Sequence, residues 1–352
     1  MPAWHILSSG CIYSREVMEV RALGIVFCIL LLAGLLLFPQ AAAQGALAGL
    51  RTCGASLIPA LLPCFVLTRL LASQLRLTRA VRRLDTPMRV LFGVEGGCFA
   101  ALLLSFLGGY PAGVGAVTAL YQKGGISKQS AERAVCFCNN SGPAFFLGVA
   151  GSTILHSARA GLLLYGIHIL SALCAGILLA QPMSKAAVRK TKALDGQQPF
   201  FTAFLDAVAA SCAALLQISG LVVFFSALTA LVGKAGTLPQ AGILTGMLEL
   251  TSGILQLEGS WELRFLACAF LLSWGGLCVH FQAAAIWTSA GLHPKGYWLE
   301  KALHAALSVL FACAALSPTP LFLGSAGAIL LLCVLFPLFR KKKAGNLRHA
   351  VV

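Results

Sequence analysis

Polar residues set into apolar sequence are the natural place to look for chemistry, because each is costly in lipid unless it is paired or used. Two stretches of the first half concentrate them. Gly108-Gly109-Tyr110-Pro111-Ala112-Gly113 interrupts an apolar run. Its glycines permit positive φ and close backbone approach, and Pro111 suits the first turn of a new helix, where its missing N–H is not needed. Cys138-Asn139-Asn140-Ser141-Gly142-Pro143 repeats the device with two amides and a hydroxyl. Each predicts a half-helix whose N-terminus points into the protein, with free N–H groups and a partial positive charge. Such ends, with Asn donors, can hold a carboxylate, a nucleobase edge or a partly dehydrated ion. The competing reading is an ordinary kink with capped ends in a tight bundle.

The second half offers Glu249-Leu250-Thr251-Ser252-Gly253 and, just after Gly275-Gly276, His280-Phe281-Gln282. Glu249 lies between apolar runs and reads as a proton or cation site, or as a buried structural partner. His280 and Gln282 cannot share one face of an ideal helix, but at a helix start both reach a central cavity. Glu95 reads as a helix cap, and His168 and His304 as structural. The substrate-binding candidates are therefore Gly108, Gly109, Tyr110, Pro111, Asn139, Asn140, Ser141, Gly142, Glu249, Thr251, Ser252, Gly276, His280 and Gln282.

No catalytic residue, cofactor or metal is expected. The chain has no P-loop, HExxH, GxSxG or strand-borne G-x-G-x-x-G, which leaves no ATP-driven pump within it. Cys136-Phe-Cys138 is not a metal-ligand spacing, and the odd total of 13 cysteines argues against a disulfide framework. Glu249 with His280 is the one faint acid/base pair.

The elements that must position these residues are membrane helices. Of 352 residues 59% are hydrophobic and 11% charged, whereas a soluble domain carries about a quarter charged. Mean hydropathy is +0.87. These values predict an all-α, polytopic transmembrane helix bundle surrounded by lipid. Clean spans are expected at 22–39, 52–75, 159–181, 205–232, 264–290, 297–316 and 321–339. The Gly- and Pro-broken stretches 90–121, 141–157 and 239–256 are expected to be broken or re-entrant helices, tolerated only where buried in protein or lining a cavity. Segment 22–38, with Arg15 and Arg21 before it, reads either as a cleaved signal sequence or as an uncleaved first helix, the latter preferred.

The net charge of +15 gathers in three clusters: Arg76 to Arg89, Lys185 to Lys192, and Arg340 onward. That is the pattern of cytoplasmic loops, not of a nucleic-acid face. The chain divides into an N-terminal tail and first helix (1–44), a first repeat (45–183), a cytoplasmic linker (184–199), a second repeat (200–316) and a terminal helix with a basic tail (317–352). The two repeats are weakly similar. Gly108-Gly109 matches Gly275-Gly276, and an acid–base pair follows each at nearly the same distance, Glu132-Arg133 and Glu300-Lys301. Broken helices at matching places in two repeats suit a transporter with its site between them.

Gly109-Tyr110-Pro111-Ala112-Gly113, Gly125-Ile126-Ser127-Lys128, Ala131-Glu132-Arg133 and Phe137-Cys138-Asn139-Asn140-Ser141-Gly142-Pro143 resemble motifs of the sporulation integral membrane protein family, whose members carry nucleoside-recognition (Gate) domains. Leu248 to Gly253 and Trp274 to Gln282 match the family's other motif. The resemblance covers about residues 45–316. His280 and the high cysteine content depart from the usual pattern. The resemblance implies a multi-pass protein of an endospore-forming bacterium, in the cell membrane or outer forespore membrane. It also implies a carrier of a small anion such as dipicolinate. Nucleoside transport and a non-transporting scaffold for spore assembly are the alternatives, and a homo-oligomer or sporulation membrane partners fit either.

Overall fold

The computed structural model describes residues 25–26, 28–74, 79–183, 199–234 and 241–349. The N-terminal tail, most of the 184–199 linker with its basic cluster, and Arg76 lie outside the described residues.

The regular structure of the described residues is all helical. They run α1 (Cys28–Leu37), α2 (Pro39–Thr52), α3 (Ile58–Gln74), α4 (Arg79–Phe92), α5 (Cys98–Gly108), α6 (Ala112–Gln122), α7 (Lys128–Phe137) and α8 (Ala158–Leu178). The second half continues with α9 (Phe200–Lys234), α10 (Ala241–Leu248), α11 (Leu250–Leu255), α12 (Trp261–Trp274), α13 (Gly276–Ser289), α14 (Tyr297–Leu316) and α15 (Pro320–His349). π-helical turns occupy Cys53–Leu57 and Phe145–Ile154.

Among the described residues, five stretches are long and apolar enough to span a bilayer, Ala158–Leu178, Phe200–Gly233, Trp261–Ser289, Tyr297–Leu316 and Pro320–Pro337, and the bent pair Cys28–Leu37 with Pro39–Ala55 makes a sixth if it is one span. The fold is an all-α, polytopic bundle. Leu36, Leu107, Leu216 and Leu321 stand exposed on its outside, as side chains facing lipid tails do.

The first two spans differ from expectation. Residues 22–39 and 52–75 do not form a simple hairpin; α1 meets α2 at a bend of 102°. Pro39 opens α2, because its fixed φ suits a helix start and its ring cannot continue the helix before it. From there the chain stays helical to Gln74 through the π-turn at Cys53–Leu57. This long element packs along α9, and glycines allow the approach. A Cβ on Gly45 would lie 2.5 Å from the Ser226 carbonyl oxygen. The basic cluster at 79–92 is also more than a loop. It forms the amphipathic helix α4, which buries Met88 and Phe92, four residues apart on one face.

Two of the breaks fall at glycines. Gly109 (φ +73) separates α5 from α6, and Gly275 and Gly276 (φ +96 and +77) separate α12 from α13. Glu249, extended in conformation, separates α10 from α11.

Candidate functional site

The two breaks of the first half touch. A Cβ on Gly109 would lie 3.0 Å from the Gly142 nitrogen, and one on Gly113 would lie 2.0 Å from the Cys138 carbonyl oxygen. Only hydrogen fits at either place, so the 108–113 and 138–143 stretches form one backbone junction. The break of the second half joins them through Tyr110. Its hydroxyl donates to the Leu272 carbonyl at 2.7 Å, in the last turn of α12. That carbonyl is freed because the chain leaves the helix at Gly275.

At this junction α14 supplies a row of buried groups: Tyr297, Lys301 and His304, each no more than 2% exposed. Their spacing of four and three puts them on one helix face. The Lys301 ammonium donates to the Asn139 carbonyl at 2.7 Å and lies 3.2 Å from His304 Nδ1. It also sits 5.5 Å from the centre of the Tyr110 ring, within cation–π range. His304 Nε2 lies 3.2 Å from the His168 carbonyl, which only accepts. His304 Nε2 therefore carries the proton, and in the neutral ring Nδ1 accepts from Lys301. His168 is fixed likewise: its Nε2 accepts from the Ser141 N–H at 3.1 Å, so its Nδ1 donates to Ser273 Oγ at 3.1 Å.

Asn139 and His280 meet on Tyr297. Asn139 Nδ2 donates to the Tyr297 hydroxyl at 2.6 Å, and His280 Nδ1 lies 2.8 Å from the same oxygen. Trp274 and Trp298 flank His280, each with its ring centre 4.7 Å away. Among the described residues, Asn139 Oδ1, His280 Nε2 and Trp274 Nε1 are buried without a hydrogen-bond partner. Unmet polar atoms inside a folded protein are uncommon and call for an explanation.

The charges of the cluster do not balance. Arg133 pairs with Glu300 through Nη1 and reaches the Gly176 carbonyl with Nη2 at 2.7 Å. Glu300 is thus answered by Arg133. Among the described residues no carboxylate lies within 4 Å of Lys301.

The sequence-predicted residues fall into two groups. Gly108, Gly109, Tyr110, Pro111, Asn139, Asn140, Ser141, Gly142 and His280 belong to or border the junction. Asn140 holds it together, donating to Ser105 Oγ and the Phe137 carbonyl. Glu249, Thr251, Ser252, Gly276 and Gln282 lie apart, at the α10–α11 break. There Glu249 caps α11, its carboxylate accepting from the Thr251 and Ser252 N–H groups at 3.0 and 2.7 Å. A Cβ on Gly276 would sit 2.9 Å from the Gly246 carbonyl oxygen. Gln282 bonds to Cys278 of its own helix at 3.2 Å, turned away from His280. Glu95 accepts from the Ser127 N–H at 3.0 Å, next to the start of α7.

Sequence reasoning missed Lys301, Tyr297, His304 and His168. The signal was there: a lysine and two histidines inside apolar spans are costly enough to demand a role. Among the described residues no three His, Cys, Asp or Glu side chains converge as a metal site.

Beyond the junction, a shallow open cleft is lined by Phe65, Arg69, Pro111, Ala112, Gly115, Ala214 and Ile286. Consecutive residues thus face both features, Tyr110 the buried cluster and Pro111 the cleft.

Sporulation integral membrane protein YlbJ of Bacillus subtilis (strain 168) is 26% identical to this chain over 327 residues, covering 81% of this chain and 80% of its own length. No family model matches the chain, and no solved structure does. The match spans both halves of the all-α, multi-pass membrane fold, so the chain is similar along most of its length to a sporulation integral membrane protein.

Proposed function

We propose that the protein is a membrane carrier for a small anionic solute, which it binds at the junction of its broken helices. The observation that carries this reading is Lys301: a buried ammonium with no carboxylate within 4 Å among the described residues. An unpaired charge in such surroundings is strongly unfavourable. An anion supplies the missing partner. His280, Trp274, Tyr297 and Trp298 form an aromatic wall beside it, and aromatic faces stack on planar solutes. A small planar carboxylate fits both features, and dipicolinate, named by the family resemblance, has that chemistry. A nucleoside would use the aromatic wall but would leave Lys301 unanswered.

Lys301, Tyr297, His304 and His280 are closed to solvent, whereas Trp298 at the edge of the wall is half exposed, so loading requires the broken helices to part from the outer ones. Alternating access around a central site works in this way. The cleft beside Pro111 is the natural approach, with the Arg69 guanidinium at its wall and Tyr110 between it and Lys301. The chain is read as acting in a membrane around the developing spore, in line with its similarity to a sporulation integral membrane protein, and no catalysis is assigned to it.

The test is ligand-dependent stabilisation of the purified protein in detergent. A ligand that binds only the folded state raises the unfolding temperature with concentration. Saturable stabilisation by dipicolinate and not by uridine supports the anion reading; stabilisation by uridine alone replaces it with nucleoside transport.

A further inference from the structure

We propose that Lys301 carries a proton together with the solute, so that the protein is a proton-coupled anion carrier. This rests on the reading of the junction as an anion site. It follows from the charges that face Lys301. On its own helix stand Glu300, already paired with Arg133 of α7, and the neutral Tyr297 and His304. From α8 comes His168, whose ring nitrogens are both committed: Nε2 accepts from Ser141 and Nδ1 donates to Ser273. Tyr110 and His280 approach from the breaks, and Cys136 lies at the end of α7. From α12 the junction receives Ser273, while Glu262 stays exposed at the far end of that helix; α15 brings Cys333.

With Arg133 and Glu300 cancelling, the protonated Lys301 leaves the empty junction with one uncompensated positive charge. Closing the helices around it is costly. Losing one proton removes that cost, and lysine, unlike arginine, can do so. His168 cannot take the charge instead. A proton on its Nε2 would confront the Ser141 N–H, a donor meeting a donor.

A bound carboxylate reverses the balance, because the ion pair needs the ammonium. Loading is then Lys301 with a free amine, plus one proton from water, plus one carboxylate, giving an ammonium–carboxylate pair. Unloading returns the proton and the solute to the other side. No bond of the solute is made or broken. One negative charge of the solute is neutralised per cycle, and the empty carrier returns with its junction uncharged.

The test uses the purified full chain in detergent, with dipicolinate as the probe. Calorimetric titration is run at one pH, about 8, in two buffers of different ionisation enthalpy, which counts the protons taken up per solute bound. The inference predicts net uptake approaching one proton per dipicolinate, with affinity falling as pH rises by up to about tenfold per pH unit. In Lys301→Arg, any dipicolinate bound is bound without proton uptake, since the guanidinium stays charged in the empty site. Wild-type protein that binds dipicolinate with no proton uptake overturns the coupling and leaves the anion site standing. Wild-type protein that binds no dipicolinate overturns the anion reading, and the coupling with it.

Discussion

The Lys301 ammonium donates to the Asn139 main-chain carbonyl at 2.7 Å, across 162 residues of sequence. That carbonyl is available because α7 ends at Phe137 and is capped at Cys138, and carbonyls at a helix end have no intrahelical donor. One bond therefore ties the Asn-Asn-Ser-Gly-Pro break to the lysine that the second half contributes. The two neighbouring asparagines have different duties. Asn139 Nδ2 reaches Tyr297 beside the lysine, whereas Asn140 Nδ2 holds Ser105 and the Phe137 carbonyl.

Replacing each asparagine separates these duties. Asn140→Leu leaves buried acceptors without a donor, which costs about 1–3 kcal/mol. It should lower the unfolding temperature of the purified protein. Asn139→Leu should abolish solute uptake while protein still reaches the membrane, as shown by membrane fractionation beside an uptake assay. Normal uptake by Asn139→Leu would remove that residue from the site.

The Arg133–Glu300 pair joins α7 to α14 in surroundings that exclude water. Removing one partner of a buried pair costs about 3–5 kcal/mol, because the other charge is stranded. Arg133→Met should therefore be severely destabilising. The double variant Arg133→Met, Glu300→Met should recover much of the loss. Thermal unfolding of the single and double variants measures the difference.

Glu249 caps α11 with both carboxylate oxygens. An amide keeps one acceptor for those N–H groups, so Glu249→Gln should retain uptake close to wild type. Glu249→Ala should cost about 0.5–2 kcal/mol through loss of the cap. A Glu249→Gln protein that is folded and inactive would instead make this carboxylate part of the transport chemistry.

Arg69 lines the cleft outside the junction. A charge at an entrance acts on encounter more than on the bound state, and salt screens it. Arg69→Gln should raise the KM for an anionic solute several-fold at low salt with little change in maximal rate, and the gap should narrow as salt is added. Initial-rate uptake at two ionic strengths checks this.

Much of the fold was legible in the sequence, for physical reasons. Spans such as Ala158–Leu178 and Tyr297–Leu316 announce themselves by length and apolarity. The breaks at Gly109 and Gly275 follow from residues that alone tolerate their backbone angles. The bend at Pro39 was hidden, because a proline there fits the end of one helix as well as the start of another. The α4 helix was hidden by its arginines, which read as loop charge until Met88 and Phe92 are seen packed inside. The asparagine motif was legible as a break, and it lies at the junction where the two halves meet. Lys301 was not legible, because an acid–base pair such as Glu300-Lys301 reads as self-satisfied. In the fold Glu300 pairs with Arg133, and the lysine is left over. Partner choice across 167 residues is a property of packing, invisible to local pattern.

The central claim is that Lys301 binds a transported anion, and uptake of labelled dipicolinate into proteoliposomes tests it most directly. Wild-type protein is compared with Lys301→Met, whose apolar side chain of similar length fills the site while removing the charge and the donor to Asn139, with membrane insertion and thermal unfolding measured alongside. The account predicts saturable uptake by the wild type, lost at least about tenfold in Lys301→Met, a change of at least about 1.4 kcal/mol. Undiminished uptake by a folded Lys301→Met protein, or no uptake of dipicolinate by correctly inserted wild type, would contradict it.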